Sequence, residues 1–462
     1  MPQTCQQYVR ANQERLLEEL KELLRIPSIS TLPEYKPDID RAARFVADSL
    51  AAAGLEHAEV IPTAGHPLVF ADWLHAPGRP TVLCYGHYDV QPADPLELWD
   101  SPPFEPAIRN GNLYARGAAD DKGQFYSHIK AVEALRAVNG TLPLNLKFLI
   151  EGEEEVGGES IRKYVAENPA KVKADVALVS DTSMWAEGLP TLCVALRGLI
   201  YMELEAAGPA RDLHSGLYGG AAPNPVFGLI EFLSKCKDAN GHILIPGFYD
   251  DVRTPAPQEL ESWRSLPFTD AEFLANEVGS SRLTGEPEYS VLERIWARPT
   301  FEVHGIAGGF TGIGQKTVIP ARATAKLSFR AVPEQDPETL IAAFRAFTEQ
   351  NTPAGIRFDL RVLSSSPAVL LDPNLPAIQT AARAFADVLG QPTVFIRDGA
   401  SVPVVGDFAS TLHMPTVMMG FGLPDDGLHS PNEKYRVENY YLGIMSVAHF
   451  FEEYGRGSRP SQ

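Results

Sequence analysis

Short apolar runs alternate with amphipathic stretches over the first 180 residues of the chain. Residues 80–86, 144–150 and 174–180 have the length and composition of buried strands, and residues 123–137 carry apolar side chains at helical spacing. Residues 41–53 predict a further helix, which a glycine ends. Strands that alternate with helices are typical of an α/β sheet with helices on its faces. The N-terminal part of the chain is therefore predicted to form such a sheet.

The pattern changes near residue 193, where the run CVALRGLIYMELEAAG alternates like one long strand. Glycine-, proline- and asparagine-rich stretches follow it, and further strands are predicted at 301–309 and 321–332. Asp336 and Pro337 have the residue types of an N-cap and a first helical position. This part of the chain is predicted to have α+β character.

The α/β pattern returns near residue 372, with a predicted helix at 374–390 and a strand at 414–422. We therefore expect residues 1–195 and 372–462 to form one catalytic domain, a mixed sheet with helices on both faces. Residues 196–371 are expected to form a second, inserted α+β domain. A chain of 462 residues is long enough for two or three domains at about 100–200 residues each.

Composition and charge narrow the classes of function. With 44% hydrophobic and 21% charged residues, the chain has the composition of a folded globular protein. Its formal charge of -19 is unfavourable for binding nucleic acid or anionic membrane surfaces, so neither is an expected partner. The four cysteines are widely spaced, the N-terminus lacks a secretory pattern, and no apolar run approaches ~20 residues. These features predict a cytoplasmic protein.

Histidines and carboxylates follow the predicted strands, where open α/β sheets place their ligands. A single aspartate in such a position is more often a turn or cap residue than a ligand. Several at one sheet edge would repel one another unless a cation lay among them, and mixed imidazole and carboxylate ligands suit zinc, manganese or cobalt. The residues concerned are His87, Asp89, Asp120, Asp121, Glu153, Glu154, Glu155, Asp181 and His429.

Eight motifs, in this order and spacing, resemble those of the dinuclear zinc metallopeptidases of the cytosolic non-specific dipeptidase and carnosinase type. The resemblance covers nearly the whole chain and implies a zinc-peptidase-like catalytic domain with an inserted lid and dimerisation domain. The motifs are GHYDVQP, WDSPPFEP, ARGAADDKG, EGEEEVGG, LVSD, RDLHSGLYGG, KTVIPARATAKLSFRAVP and GLHSPNEKY.

The resemblance implies a metal-binding role for five side chains. His87 and Asp181 are expected to bind one metal ion, His429 and Glu155 the other, and Asp120 to bridge the two. Zinc is the expected ion, and manganese or cobalt can take the same ligands.

The resemblance also implies that Glu154 is the general base and that Asp89 orients His87. Asp121, the second of two adjacent aspartates, does not match the bridging ligand. A shift of one residue in the glutamate run remains open. It would give the two roles of Glu154 and Glu155 to Glu153 and Glu154 instead.

The resemblance further implies a homodimer, in which His214 reaches the partner subunit's active site and stabilises the oxyanion. Arg330 has the forked donor geometry to bind a substrate carboxylate, although it can also be a strand-end ion pair. Thr317 and Ser401 match substrate-contacting positions of the family. Gly399 allows main-chain N–H groups to approach a ligand closely.

The resulting prediction is a metal-dependent dipeptidase, in which Glu154 activates a metal-bridging water and the substrate is a small dipeptide with a free C-terminal carboxylate. An N-acyl-amino-acid deacylase or a carboxypeptidase of the same fold is the alternative enzyme, and a non-catalytic peptide-binding module is the alternative of another class. Residues 308–317 (GGFTGIGQKT) are similar to a phosphate-binding loop, but Gln315 breaks the G-K-[ST] ending that such a loop requires. A predicted strand follows, not the helix whose N-terminus would bind the phosphate. The motifs H-E-x-x-H and G-x-S-x-G do not occur in the chain.

Overall fold

The computed structural model describes residues 4–457 of the chain. The helices in this range are α1 (Cys5–Ala11), α2 (Gln13–Leu24), α3 (Lys36–Ala52), α4 (Lys122–Asn139), α5 (Glu159–Glu167), α6 (Pro169–Val172), α7 (Ser215–Tyr218), α8 (Pro225–Cys236), α9 (Pro257–Arg264), α10 (Asp270–Phe273), α11 (Val291–Trp296), α12 (Pro337–Gln350), α13 (Pro376–Leu389), α14 (Pro403–Leu412) and α15 (Val437–Gly457). Short 3-10 turns lie at Pro33–Tyr35, Leu96–Leu98 and Glu154–Val156, and a π turn lies at Leu274–Val278. Within residues 4–457, no helix is long and apolar enough to cross a membrane.

The strands of the same range belong to four sheets. They are β1 (Glu56–Ile61), β2 (Leu68–Trp73), β3 (Thr81–His87), β4 (Ala107–Arg109), β5 (Asn112–Tyr114), β6 (Asn145–Glu151), β7 (Val176–Val179), β8 (Thr191–Leu196), β9 (Gly198–Ala207), β10 (Leu213–His214), β11 (Thr300–Gly308), β12 (Val318–Ile319), β13 (Arg322–Ala331), β14 (Arg357–Ser366), β15 (Val369–Leu370), β16 (Val394–Asp398), β17 (Thr416–Met418) and β18 (Lys434–Arg436).

The described chain divides into two compact units. The second unit comprises Ala195–Leu370 and Arg397–Ser401, and the first comprises the remaining described residues. The sequence pattern predicts that residues 397–401 belong to the catalytic domain, but in the structure this segment groups with the second unit. The physical reason is an ion pair: the guanidinium of Arg397 is 2% exposed and lies 2.7 Å from the carboxylate of Glu259.

The main sheet of the first unit has the strand order β1-β2-β6-β3-β7-β17-β8. β3 is parallel to β6 and β7, and β17 is parallel to β7, whereas β1, β2 and β8 pair antiparallel. The predicted mixed sheet with helices is therefore confirmed, as are the helices α3 and α4. Because the four central strands share one direction, their carboxyl ends lie at the same edge of the sheet.

The central strands are apolar along almost their whole length. Every residue of β3 after Thr81 and every residue of β6 after Asn145 is buried. Continuous apolar runs of this kind are expected for parallel strands covered on both faces. β3 and β7 have no charged side chain before their last residue, and the site described below lies at and beyond the ends of these strands.

The second unit is built on an antiparallel sheet of order β11-β13-β9-β14. Side chains of β9 alternate between buried and partly exposed, and the buried face packs against α8 and α12. The rings of Phe232, Phe329 and Phe344 form part of this core, with ring centres 5.1–5.9 Å apart. Asp336 caps α12 as predicted, because its carboxylate accepts a hydrogen bond from the N–H of Thr339 (2.9 Å).

The prediction of one long strand at 193–208 is wrong. The structure has two strands, β8 and β9, which separate at Arg197 and belong to different sheets. A Cβ atom on Gly198 would lie 2.7 Å from main-chain atoms of Ser366 and Ala368, so the chain passes through a gap that only glycine fits. Every residue of β8 is buried, whereas β9 alternates, and the apolar run is interrupted only by Arg197 and Gly198, so hydrophobic pattern alone did not reveal the change of sheet.

Candidate metal centre

His87 is the last residue of β3, and its imidazole faces two carboxylates at the edge of the sheet. Its Nε2 atom lies 3.1 Å from Asp120 Oδ1 and 3.9 Å from Asp181 Oδ2. Asp181 follows β7, the parallel neighbour of β3, and Asp120 directly precedes Asp121, the N-cap residue of α4. His87 is fully buried, whereas both aspartates keep some exposed surface. The group is therefore open to solvent on its carboxylate side.

A second group shares Asp120 with the first. The Nε2 atom of His429 lies 2.9 Å from Asp120 Oδ2 and 3.4 Å from Glu155 Oε2. In each group, the possible ligand atoms lie within 4.8 Å of one another. The two oxygens of Asp120 thus face different imidazoles, which is the arrangement a carboxylate needs to bridge two cations.

His429 lies in a loop and adopts a backbone conformation that is uncommon for its residue type. Its φ angle of 59° is in the left-handed region, which side chains other than glycine seldom adopt. Gly427, two residues earlier, has a similar φ angle of 69°. Such a conformation persists where the surrounding structure holds the residue in place.

A buried glutamate joins the loop of His429 to the loop of Asp120. Glu433 precedes β18 and has no exposed surface. Its carboxylate accepts hydrogen bonds of 2.9–3.2 Å from four donors of the other loop, namely the guanidinium of Arg116 and the N–H groups of Gly117, Ala119 and Asp120. The main chain that carries Asp120 is therefore held against the main chain that follows His429.

Asp89 fixes both an imidazole and the turn that carries the glutamates. The Nδ1 atom of His87 lies 3.1 Å from the main-chain oxygen of Asp89, and because a carbonyl oxygen can only accept, Nδ1 carries the proton. The Nε2 atom of His87, on the side of Asp120, is then the nitrogen whose lone pair the neutral ring can offer to a metal ion. The carboxylate of Asp89 accepts hydrogen bonds from the N–H groups of Glu154 (3.3 Å) and Glu155 (3.2 Å).

The three adjacent glutamates have different surroundings. The carboxylate of Glu153 accepts hydrogen bonds from the N–H groups of His66 (3.0 Å) and Ser160 (3.1 Å). Glu155 belongs to the second ligand group, and Glu154 belongs to neither group. This geometry supports Glu155 as a ligand and leaves Glu154 free to act as a base, in preference to the assignment shifted by one residue.

Asp121 also lies outside both ligand groups. It is fully buried, and its Oδ2 atom accepts a hydrogen bond from the N–H of His87 (3.2 Å). Its position supports the choice of Asp120, the first of the two adjacent aspartates, as the ligand.

Two glutamates of the site, Glu154 and Glu155, are in an unfavourable environment for negative charge. Asp120 differs from them: burial opposes its ionisation, but the neighbouring His429 and His87 hold its pKa below the usual range. Burial raises the pKa of Glu154 well above its usual range; His87 opposes this shift, and the charges of Asp181 and Glu155 add to it. Burial and the neighbouring Asp120 raise the pKa of Glu155 to about 8. Converging buried carboxylates of this kind become stable as anions when cations lie among them. Two imidazoles and three carboxylates fit two divalent transition-metal ions.

The other predicted residues lie in the second unit and form two separate groups. His214 is at the end of β10, beside β12, and the main-chain oxygen of Thr317 accepts the N–H of Ser215 (3.0 Å). The side chains of His214 and Thr317 are exposed.

The second of these groups contains Arg330, Ser401 and Gly399. The guanidinium of Arg330 donates a hydrogen bond to Ser401 Oγ (2.9 Å). The space that Gly399 leaves free is filled by a side chain, since a Cβ atom there would lie 2.8 Å from Arg197 Nη2. Glycine at this position is required by this close approach.

Sequence reasoning missed several residues that support the ligands. Glu433 was included in a motif but given no role, and it lies more than 300 positions from the loop it binds. The side chain of Gln91 donates a hydrogen bond to Glu155 Oε2 (2.7 Å). Tyr85 donates to the buried Glu151 (2.6 Å) beneath Glu154. Only their place within or near the quoted motifs distinguished them in the sequence.

Replacing Gln91 by alanine is expected to weaken metal binding by roughly tenfold, because an outer hydrogen-bond partner that orients a ligand typically contributes 10–100-fold. Competition with a chelator of known affinity measures the change. Gln13→Ala, on an exposed helical surface, is the matched control and should keep the parent's affinity. Equal affinities for the two variants would show that Glu155 does not need this hydrogen bond.

The fold and the two ligand groups define a metal-dependent hydrolase with a dinuclear centre. Residues 83–453 match the model of the peptidase family M20/M25/M40, and the chain belongs to this family.

Named relatives match over nearly the full length. The chain is 32% identical to the Cys-Gly metallodipeptidase DUG1 of Candida albicans, over 96% of this chain and 95% of that protein. It is 31% identical to the human Beta-Ala-His dipeptidase, over 97% and 91% of the two chains. Its structure resembles that of the M20 metallo-carboxypeptidase Sso-CP2 from Sulfolobus solfataricus, with a TM-score of 0.86, 31% identity and coverage of 96% and 99%.

Proposed function

We propose that the protein is a dipeptidase that hydrolyses the peptide bond of small dipeptides with a free C-terminal carboxylate. The observation that carries this proposal is the pair of ligand groups that share Asp120, with Glu154 beside them. The relatives named as dipeptidases support the choice of substrate. We expect zinc in both positions, and manganese or cobalt as ions that can replace it.

We propose the following roles for the residues of the centre. Two metal ions held by the five ligands would polarise the substrate carbonyl and lower the pKa of a water molecule. Glu154 accepts a proton from this water as it attacks the carbonyl carbon, and then donates a proton to the nitrogen of the departing amine. Asp89 keeps the proton of His87 on Nδ1 and holds the turn that carries Glu154. The ligands are His87, Asp120, Glu155, Asp181 and His429.

His214 is proposed to stabilise the substrate oxygen as negative charge develops. Its Nδ1 atom accepts the N–H of Gly216 (3.0 Å), so the neutral ring carries its proton on Nε2, where it can be donated to an oxyanion. We propose that it does so in the active site of a partner subunit.

A homodimer is supported by apolar side chains that the second unit leaves exposed. Large exposed apolar surfaces commonly mark protein interfaces. The most exposed of these side chains belong to Leu217, Phe227 and Ile313, and Leu217 is in α7, directly after His214.

Arg330 is proposed to bind the C-terminal carboxylate of the substrate, because its planar guanidinium can donate two parallel hydrogen bonds to a carboxylate. Ser401 holds this guanidinium by a hydrogen bond. Thr317, Ser401 and the main chain at Gly399 are proposed as further substrate contacts.

A cytoplasmic location is also proposed. The cysteines Cys5, Cys84, Cys193 and Cys236 are all free, and the last three are buried. This use of cysteine suits a reducing compartment.

The second candidate is a carboxypeptidase that removes C-terminal residues from longer peptides. The observation that favours it is the similarity to the structure of Sso-CP2. It requires the same metals and the same Arg330. It differs only in whether the site accepts additional substrate residues on the amino-terminal side of the scissile bond.

Chelator-stripped protein, before and after addition of Zn²⁺ or Mn²⁺, tests the proposal on dipeptides, tripeptides, N-acetyl amino acids and C-terminally amidated dipeptides. We expect metal-restored cleavage of free dipeptides only. Cleavage of tripeptides at comparable kcat/KM would favour the carboxypeptidase, and cleavage of N-acetyl amino acids alone would favour a deacylase. Equal cleavage of amidated and free dipeptides would contradict the role of Arg330. Binding of dipeptides without cleavage by metal-loaded protein would indicate a binding module.

A further inference from the structure

The second unit contains a cavity of about 360 Å³ whose walls are strongly basic. Two acidic residues of the lining are compensated by neighbours: Glu286 receives two hydrogen bonds from Arg298, and Glu302 lies 3.6 Å from Lys237. The remaining charged side chains of the lining are Arg197, Arg294 and Arg330. A concentration of positive charge in a chain of formal charge -19 indicates a site for an anion.

Arg197 is fixed in place but lacks a negative partner. Its Nε atom donates a hydrogen bond to the main-chain oxygen of Gly399 (3.1 Å), and Gly399 lacks the Cβ atom that would displace the guanidinium. Its Nη1 atom is buried and has no hydrogen-bond partner among the described residues. Asp398 and Glu302 act on this guanidinium only at longer range. A buried donor without a partner is costly, and a ligand that supplies an acceptor removes the cost.

One hydroxyl group connects Arg197 to Arg330. Ser401 Oγ donates to the main-chain oxygen of Arg197 (2.5 Å) and accepts from Arg330 Nη1 (2.9 Å). Burial and the charge of Arg330 lower the pKa of Arg197 to about 10. Burial also lowers the pKa of Arg330. The protein therefore holds two neighbouring guanidinium groups where their charges are poorly solvated, which an anion with two negative charges would stabilise.

We propose that Arg197 and Arg330 together bind a dicarboxylate, so that the preferred substrates are dipeptides whose C-terminal residue is aspartate or glutamate. The proposal rests on the proposed dipeptidase function, in which Arg330 binds the α-carboxylate. Arg197 then binds the side-chain carboxylate. A C-terminal residue with a neutral side chain brings one negative charge to two guanidinium groups, whereas an acidic one brings two.

The test compares kcat/KM of the full-length, metal-loaded protein for Ala-Asp, Ala-Asn, Ala-Glu, Ala-Gln and Ala-Ala. Each acid and its amide have nearly the same shape, so their ratio isolates the second carboxylate. We expect the parent to favour each acid over its amide by roughly 10- to 100-fold, the range for a hydrogen-bonded charge. Arg197→Gln should reduce this ratio to near one. Arg197→Lys keeps the positive charge but lacks the planar guanidinium that donates two parallel hydrogen bonds, and should give an intermediate ratio.

Arg322→Gln is the matched control, since Arg322 lies in the same strand as Arg330 but on an exposed site paired with Glu205. It should keep the parent's ratio. Equal activity of the parent on acid and amide would overturn the proposal, even if no Arg197 variant folds. A parallel loss on all five dipeptides in Arg197→Gln would also overturn it and show that both guanidinium groups hold one carboxylate. If the metal-loaded protein cleaved none of the five but cleaved a longer peptide or an acylated amino acid, the proposed dipeptidase function itself would be wrong.

Discussion

Glu154→Gln is expected to lower kcat by roughly 10³-fold, within the range of 10²–10⁴ that a general base contributes. The amide keeps the shape of the side chain but cannot accept the proton of the attacking water. Metal content and KM should stay close to the parent's, because Glu154 belongs to neither ligand group. Steady-state kinetics together with metal analysis of the purified protein measure both quantities.

The same variant has a second expected effect in the metal-free protein. Burial raises the pKa of Glu154 well above that of an exposed glutamate, so an ionised carboxylate at neutral pH destabilises the folded state. Stability from this group is present below the pKa of the unfolded chain and is lost as pH rises. Metal-free Glu154→Gln should therefore unfold at a higher temperature than the metal-free parent at pH 7–8.

Glu159→Gln is the matched control for both measurements. Glu159 lies in the same acidic run but is exposed in the first turn of α5. It should keep the parent's kcat and its unfolding temperature. Full turnover by Glu154→Gln with both metals bound would show that another group takes the proton, and the mechanism proposed here would be wrong.

Asp120→Asn is expected to remove both metal ions and with them all measurable turnover. Asp120 offers one oxygen to each ligand group, so one substitution weakens two sites together. The loss of affinity should exceed the roughly 10–100-fold that removal of an outer hydrogen-bond partner produces. Metal analysis after dialysis should give fewer than one ion per subunit, where the parent retains two.

Substitution of a ligand of one group only should behave differently. Asp181→Asn is expected to weaken the group of His87 and leave the group of His429 able to bind metal, since Asp181 belongs only to the first. Asp48→Asn, on the exposed face of α3, serves as the unaffected control. Retention of two ions by Asp120→Asn would contradict a bridging role for this carboxylate.

Local pattern was sufficient to predict most of the first unit. The strands β3, β6 and β7 are continuous apolar runs, and their type and approximate bounds follow from short stretches of sequence. His87, Glu155 and Asp181 were predictable as candidate ligands, because side chains at or shortly after the ends of such strands lie at the carboxyl edge of a parallel sheet. The family resemblance then assigned a role to each of them.

The position of the three glutamates was decided by tertiary structure. The sequence assigns the metal to Glu155 but leaves open a shift of one residue, which would make Glu154 the ligand and Glu153 the base, since neighbours in a run are chemically identical. Hydrogen bonds from His66 and Ser160 fix Glu153, and those to Asp89 fix the turn that follows. The contacts with His66 and Asp89 join segments more than 60 residues apart, and no local signal contains them.

Contacts between distant segments also explain what the sequence did not reveal in either unit. Three features depend on the close approach of distant segments. They are the separation of β8 from β9, the grouping of 397–401 with the second unit, and the hydrogen bonds of Glu433. Sequence by itself therefore determined the elements, the class of chemistry and the ligand types, because these follow from local pattern and residue chemistry. Tertiary packing alone decided which neighbouring carboxylate joins a ligand group, and which buried guanidinium nitrogen, Arg197 Nη1, has no hydrogen-bond partner among the described residues.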